Sequence, residues 1–262
     1  QPSWVAGVAP WGRAWESKAI DEKSLPAEFV AATRIRGWLE EPLYHTTYLG
    51  RSYGLASLTG NVPKEWPVVA CWKRTAGRAQ TLDDLGIVFP WGYLNDRPSS
   101  WIGQHKPAGR PANPLLGVLQ HENTMIYVMQ PRERTFLEEL AAQEGIRSIC
   151  SRFSIYTYGE GHTPEVWING ARATEFPLTA GAGDVIALRD GVSYMALVPL
   201  PATDLGRKEQ VVIRREHPRM TISSYIMDRE EPLHPDEAMW NKLADATTGW
   251  IVEMGDEAEY GS

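Results

Sequence analysis

Cysteine is nearly absent: Cys71 and Cys150 are the only two in a chain of 262 residues. That excludes a disulfide-stapled small fold and any four-thiolate metal site. Long hydrophobic runs are missing as well. No uninterrupted apolar stretch approaches about 18 residues, so no segment has the length and character of a membrane-spanning helix. The six histidines (His45, His105, His121, His162, His217 and His234) show no spacing of two, three or four, so no local metal motif exists. Positive charge is in deficit. The net charge of −7 argues against a nucleic-acid partner. Phenylalanine is scarce too, with five residues against 11 Trp and 10 Tyr.

What is present is an ordinary globular composition, 43% hydrophobic and 23% charged, which excludes global disorder. The length suits one large domain or two small ones that bury roughly 70–75% of the extended-chain surface. The acidity is concentrated. Residues 226–262 hold ten acidic side chains against Arg229 and Lys242, a net of −8, which leaves residues 1–225 at +1. This reads as a solvated C-terminal face that aids solubility, with a docking surface as the alternative. The chain begins Gln1-Pro2-Ser3 without methionine or an apolar signal core. The expectation is a removed leader or a piece of a longer protein.

The pattern along the chain predicts an all-β fold, a large antiparallel β-sandwich with one or two short helices. Residues 1–26 form an expected irregular arm carrying Trp4, Trp11 and Trp15. Ala27–Leu39 reads as a helix in preference to a strand. From Leu43 onward, short runs of β-branched and aromatic residues alternate with turn signals, and Asn169-Gly170 and Asp190-Gly191 are hairpin signals. Ile149–Tyr158 alternates, with Phe153, Ile155 and Thr157 on one face and Ser154, Tyr156 and Tyr158 on the other. Arg134–Glu144 reads as a helix ending at Gly145, or as a strand leading into a loop. Pro235–Ala246 is a late helix with a Met239, Trp240 and Leu243 stripe. The expected sandwich spans 27–227, and 228–262 is an acidic helix and tail.

The densest polar and aromatic cluster is Tyr44–Tyr53. On a strand, Tyr44, Thr46 and Tyr48 share one face, while Leu43, His45, Thr47 and Leu49 share the other. Two phenols and a hydroxyl are costly to bury, so the Tyr48 face is expected to open onto a groove and the His45 face onto the core. A bulge at Gly50 then brings Arg51 and Tyr53 beside Tyr48. Indoles and phenols suit stacking on sugar rings. Tyr44, Trp72, Trp91 and Trp101 are the expected sugar contacts, although most Trp residues are expected in the core. No Ser/His/Asp triad, phosphate loop or carboxylate pair is singled out, and no cofactor is expected. Cys71 and Cys150 are expected to be buried free thiols, with a single disulfide as the alternative.

Tyr44–Ser57 (YHTTYLGRSYGLAS) and Val68–Trp72 resemble the stretch leading into the β-sandwich of heparinase II/III-like and alginate-lyase-like bacterial carbohydrate-active proteins. Asp184–Leu200 is similar to their late sandwich strands. In that family an α/α toroid precedes the sandwich; here the resemblance covers about residues 27–227 and the toroid is missing. The resemblance implies β-elimination on uronic-acid polysaccharides. Arg51 would neutralise the uronate, His45 or Tyr48 would take the C5 proton, and Tyr53 would donate to the leaving oxygen. It also implies a polysaccharide or oligosaccharide ligand, a partner toroid domain or subunit, and an extracellular or periplasmic location. Because the cleft of toroid-type lyases is shared by both domains, a full catalytic set is not carried over. A non-catalytic carbohydrate-binding module and a structural protein with a Trp-rich subunit interface are the alternatives.

Overall fold

The computed structural model describes residues 15–17, 43–60, 68–98, 116–131, 138, 141–142, 144–157, 163–216 and 219–257. The first strands are β1 (Trp15–Ser17), β2 (Leu43–Leu49), β3 (Tyr53–Gly60), β4 (Val68–Lys73), β5 (Leu85–Leu94) and β6 (Arg97–Pro98). Then come β7 (Leu116–His121), β8 (Thr124–Met129), β9 (Ile146–Thr157), β10 (Glu165–Ile168), β11 (Ala171–Arg172) and β12 (Leu178–Ala180). The last are β13 (Ile186–Asp190), β14 (Ser193–Pro199), β15 (Val211–Glu216), β16 (Arg219–Leu233) and β17 (Thr248–Asp256). A helix, α1 (Glu237–Asp245), lies between β16 and β17.

The strands form an all-β sandwich of two antiparallel sheets. Sheet A runs β1-β2-β3-β4-β5-β9-β16-β15-β12, with β6 paired to β5; sheet B runs β11-β10-β13-β14-β17-β8-β7. The hairpins form where the turn residues predict them. Asn169 (φ 51°) and Gly170 (φ 81°) take the left-handed backbone that a two-residue hairpin needs, and β10 and β11 pair around them. Asp190 pairs with Ser193 around Gly191 (φ 64°). The alternation of β9 holds: Phe153 and Ile155 enter the core, and Ser154 and Tyr156 lie on the opposite face.

The core lies between the sheets. Trp250 of sheet B is fully buried and meets Phe153 of sheet A edge-to-face at 5.2 Å; Tyr127 of β8 meets the same ring at 6.2 Å. Each such ring contributes up to about 4 kcal/mol of apolar transfer free energy. The Trp250 indole is satisfied by Ser151 at 3.1 Å.

Both expected domain limits shift. Trp15–Ser17, placed in an irregular arm, is an edge strand paired with β2. The C-terminal segment is no appendage. β16 continues to Leu233, and β17 lies in the middle of sheet B between β14 and β8. Its acidic residues mislead because Asp256 is buried, near Ser52, while Trp250, Val252 and Met254 alternate into the core. The late helix forms as expected, capped by Asp236, whose carboxylate accepts from the Met239 amide at 2.8 Å. Of residues 134–144, the described Glu138, Ala141 and Ala142 are helical, and Gly145 (φ 73°) closes the turn onto the Ala141 carbonyl. Ala27–Leu39 lies outside the described residues. Among those described, no helix is long and apolar enough to cross a membrane.

Candidate functional site

The Tyr44–Tyr53 segment is a hairpin turned opposite to expectation. Tyr48 pairs with Leu55 and Thr46 with Ser57, and the Gly50 amide donates to the Tyr53 carbonyl at 2.9 Å. Gly50 therefore starts a tight turn instead of bulging. Leu55 is sealed in the core, so pleating carries the Tyr48 face inward with it. Tyr53 is fully buried, and half-buried Tyr48 stacks on it at 6.0 Å. Arg51 is exposed at the turn. Tyr53 and Arg51 thus do not join Tyr48 on an open face. Tyr44 and His45 pair with Thr59 and Leu58; their side chains lie outside the described residues, as does all of Trp101.

Gly50-Arg51-Ser52-Tyr53-Gly54 spells a Gly-x-Ser-x-Gly sequence. It joins two antiparallel strands, whereas a nucleophile elbow joins a strand to a helix. Ser52 is buried, with its hydroxyl 2.8 Å from that of Ser193 and 3.4 Å from Asp256. Trp72, an expected sugar contact, is likewise in the core. Its ring lies flat on Gly86, where even a Cβ would come within 2.2 Å, and its indole donates to Asp190 at 2.7 Å.

Trp91 lies elsewhere, on the outer face of sheet A, and the register assembles chemistry around it. Val212, Ser223, Arg152 and Trp91 form one row across β15, β16, β9 and β5. Tyr225, Cys150 and Tyr93 form the next row, and Arg214, Thr221 and Ser154 the row on the other side. At about 4.8 Å per strand, a four-residue row spans about 14 Å. This face repeats the outward half of the β9 alternation.

Arg152 is the hub. Its guanidinium sits 4.3 Å from the Tyr93 ring centroid, donates from Nε to Ser223 at 2.8 Å and from Nη2 to Asp96 at 2.5 Å. The Tyr93 hydroxyl reaches Ser154 at 3.2 Å. Arg214 donates to the Tyr225 hydroxyl at 3.1 Å and has no carboxylate partner among the described residues. Trp91 is half-buried, and its indole nitrogen has no hydrogen-bond partner among the described residues. Burial raises the Tyr225 phenol above its ordinary range and pushes the Cys150 thiol up to about 11. Both stay protonated at neutral pH. Cys71 and Cys150 are free thiols, as expected.

Sequence reasoning missed Arg152, Tyr93, Tyr225 and Asp96, and met Arg214 only as half of a basic Arg214/Arg215 pair. Only Asp96 has a local signal: Asn95-Asp96 between Leu94 and Arg97 suits a two-residue hairpin, and both residues take positive φ, 48° and 61°. The others are scattered over four strands that only the sheet brings together. Among the described residues, no three His, Cys, Asp or Glu side chains cluster as metal ligands. No family model matches the chain, and neither a curated protein nor a solved structure matches it.

Proposed function

We propose that the chain is a carbohydrate-active β-sandwich that binds an acidic oligosaccharide or polysaccharide on the outer face of sheet A. The observation that carries this reading is a half-buried ring and a half-buried guanidinium group on one sheet face, Trp91 and Arg214, set beside the buried Arg152, Tyr93 and Tyr225. A half-buried indole offers a stacking surface for a sugar ring. Arg214, without a carboxylate partner among the described residues, suits a uronate.

The weight falls on binding. β-Elimination needs a base for the C5 proton, and burial keeps Tyr225 and Cys150 protonated. Turnover by a polysaccharide lyase reaction is the competing outcome of the test, with Tyr48 the remaining half-buried phenol of the predicted segment.

The experiment is calorimetric titration with uronic-acid oligosaccharides and their carboxyl-reduced neutral counterparts, with ultraviolet absorbance followed for unsaturated product. The parent binds the acidic series. Arg214→Gln loses about tenfold or more in affinity for it, while Trp91→Ala weakens acidic and neutral ligands alike. Absence of binding to both series sinks the reading; unsaturated product moves it to the lyase.

A further inference from the structure

The ion pair at the hub of this face is lopsided. The Arg152 side chain is 8% exposed and that of its partner Asp96 is 70% exposed. Two contacts within the sheet fix Arg152: the Tyr93 ring lies against its guanidinium, and Ser223 holds Nε. Asp96 approaches from the solvent side, on the turn between β5 and β6. That turn is clamped by the Asn95 side-chain amide. Asn95 donates to the Gly145 carbonyl at 2.8 Å and accepts from the Arg147 and Ser148 amides at 2.7 and 3.2 Å. The turn is therefore rigid, while the Asp96 side chain projects into water and touches the hub through one carboxylate oxygen.

This is an unusual way to neutralise a buried cation. A structural counter-ion is normally buried with its partner, as Asp190 is with Arg74, 4% and 8% exposed. A carboxylate left in water makes an ion pair that water and competing anions can replace. Arg214 stands nearby, and among the described residues its partner is the Tyr225 hydroxyl, not a carboxylate. Arg219, on the same face, is already paired with Glu216 at 3.3 Å.

We propose that the Asp96 carboxylate is a resident stand-in for a ligand carboxylate, holding the solvent side of Arg152 in the free protein and giving way when an acidic group binds. This rests on the ligand face proposed above and deepens it: Arg152 is the carboxylate subsite, and Asp96 sets the affinity threshold. A planar carboxylate fits because the exchange is like for like. The incoming oxygen takes the Nη2 hydrogen bond that Asp96 releases, and Asp96 swings into water, where its charge is solvated. A neutral sugar gains nothing by the exchange.

The test follows the arginine Nε–Hε signals by NMR while acetate, a uronic-acid oligosaccharide or its carboxyl-reduced counterpart is titrated into the parent and Asp96→Asn. Thermal unfolding checks that the variant is folded. If it is not, Asp96→Gly, which suits the positive φ, takes its place. Acetate binding about tenfold tighter in the variant, with the Arg152 signal moving, is the expected result. Equal or weaker acetate binding in the folded variant overturns the inference. A uronic-acid oligosaccharide that binds parent and variant equally also overturns it, while leaving the saccharide reading standing. Tighter acetate binding without oligosaccharide binding in either protein leaves Asp96 as the stand-in and removes the saccharide reading instead.

Discussion

The Trp72 indole donates a 2.7 Å hydrogen bond to the Asp190 carboxylate, tying β4 of sheet A to the β13–β14 hairpin of sheet B. Arg74 Nε meets both oxygens of the same carboxylate at 3.0 Å. Asp190→Asn keeps the shape and removes the charge, leaving the Arg74 cation facing a neutral amide. The expected loss is about 3–5 kcal/mol of unfolding free energy, read from urea denaturation. Trp72→Phe removes only the indole donor and part of the ring and is expected to cost less, about 1–3 kcal/mol. A cost below about 0.5 kcal/mol for Asp190→Asn would show that the pair does not hold the sheets together.

Gly191 makes the same junction possible. It has φ 64°, and a Cβ built there lies 2.0 Å from the Arg74 carbonyl oxygen. The next residue, Val192, donates its amide to that carbonyl at 3.0 Å. Gly191→Ala meets both backbone strain and a clash with backbone atoms that have no side-chain freedom. It is expected to destabilise by more than about 1 kcal/mol, visible as a lower midpoint in thermal unfolding. Gly170, also at positive φ but with nothing within 4 Å of its Cβ, is the control and loses less as Ala.

The C-terminal strand carries a prediction opposite to that of the acidic composition. Deleting residues 248–262 removes β17 from the middle of sheet B and takes Trp250 out of the core. The shortened chain is expected to lose cooperative unfolding altogether. Trp250→Phe is the milder probe and forfeits the Ser151 hydrogen bond as well as ring volume, costing about 2–4 kcal/mol. Soluble, cooperatively unfolding protein from the deletion would contradict the placement of β17.

The two thiols predict an alkaline limit. Burial pushes Cys71 and Cys150 up from the ordinary 9.0 to about 11. The native protein then keeps protons that the unfolded chain releases, so stability is fully present below about pH 9 and falls as pH rises toward about 11. Replacing both by Ala should flatten this part of the stability–pH curve, measured by denaturant unfolding. At neutral pH the buried Cys150 thiol should resist alkylation and react only on unfolding; its rapid modification in the folded protein would exclude its burial.

Local signals carried much of the fold. Asn169-Gly170 made its hairpin because those residues tolerate left-handed backbone, and Asp236 capped its helix through its own side chain. The β9 alternation placed Phe153 inward because a period of two is a property of the strand alone. Each depends on neighbours within a few residues, and so was open to inspection in the sequence.

Which face of β2 points inward was not local. Tyr44, Thr46 and Tyr48 look like an open face when read alone; pairing with Leu55 turns Tyr48 inward, because strands in register share their pleat. The same physics concealed the outer face of sheet A. Trp91, Arg152, Ser223 and Val212 are separated by dozens of residues along the chain and become one row only when β5, β9, β16 and β15 lie side by side. The sequence by itself determined that this is a strand-built protein with a late helix. Tertiary structure alone decided which rings and guanidinium groups meet, because a sheet's neighbours are chosen by pairing between distant segments, not by the residues within each one.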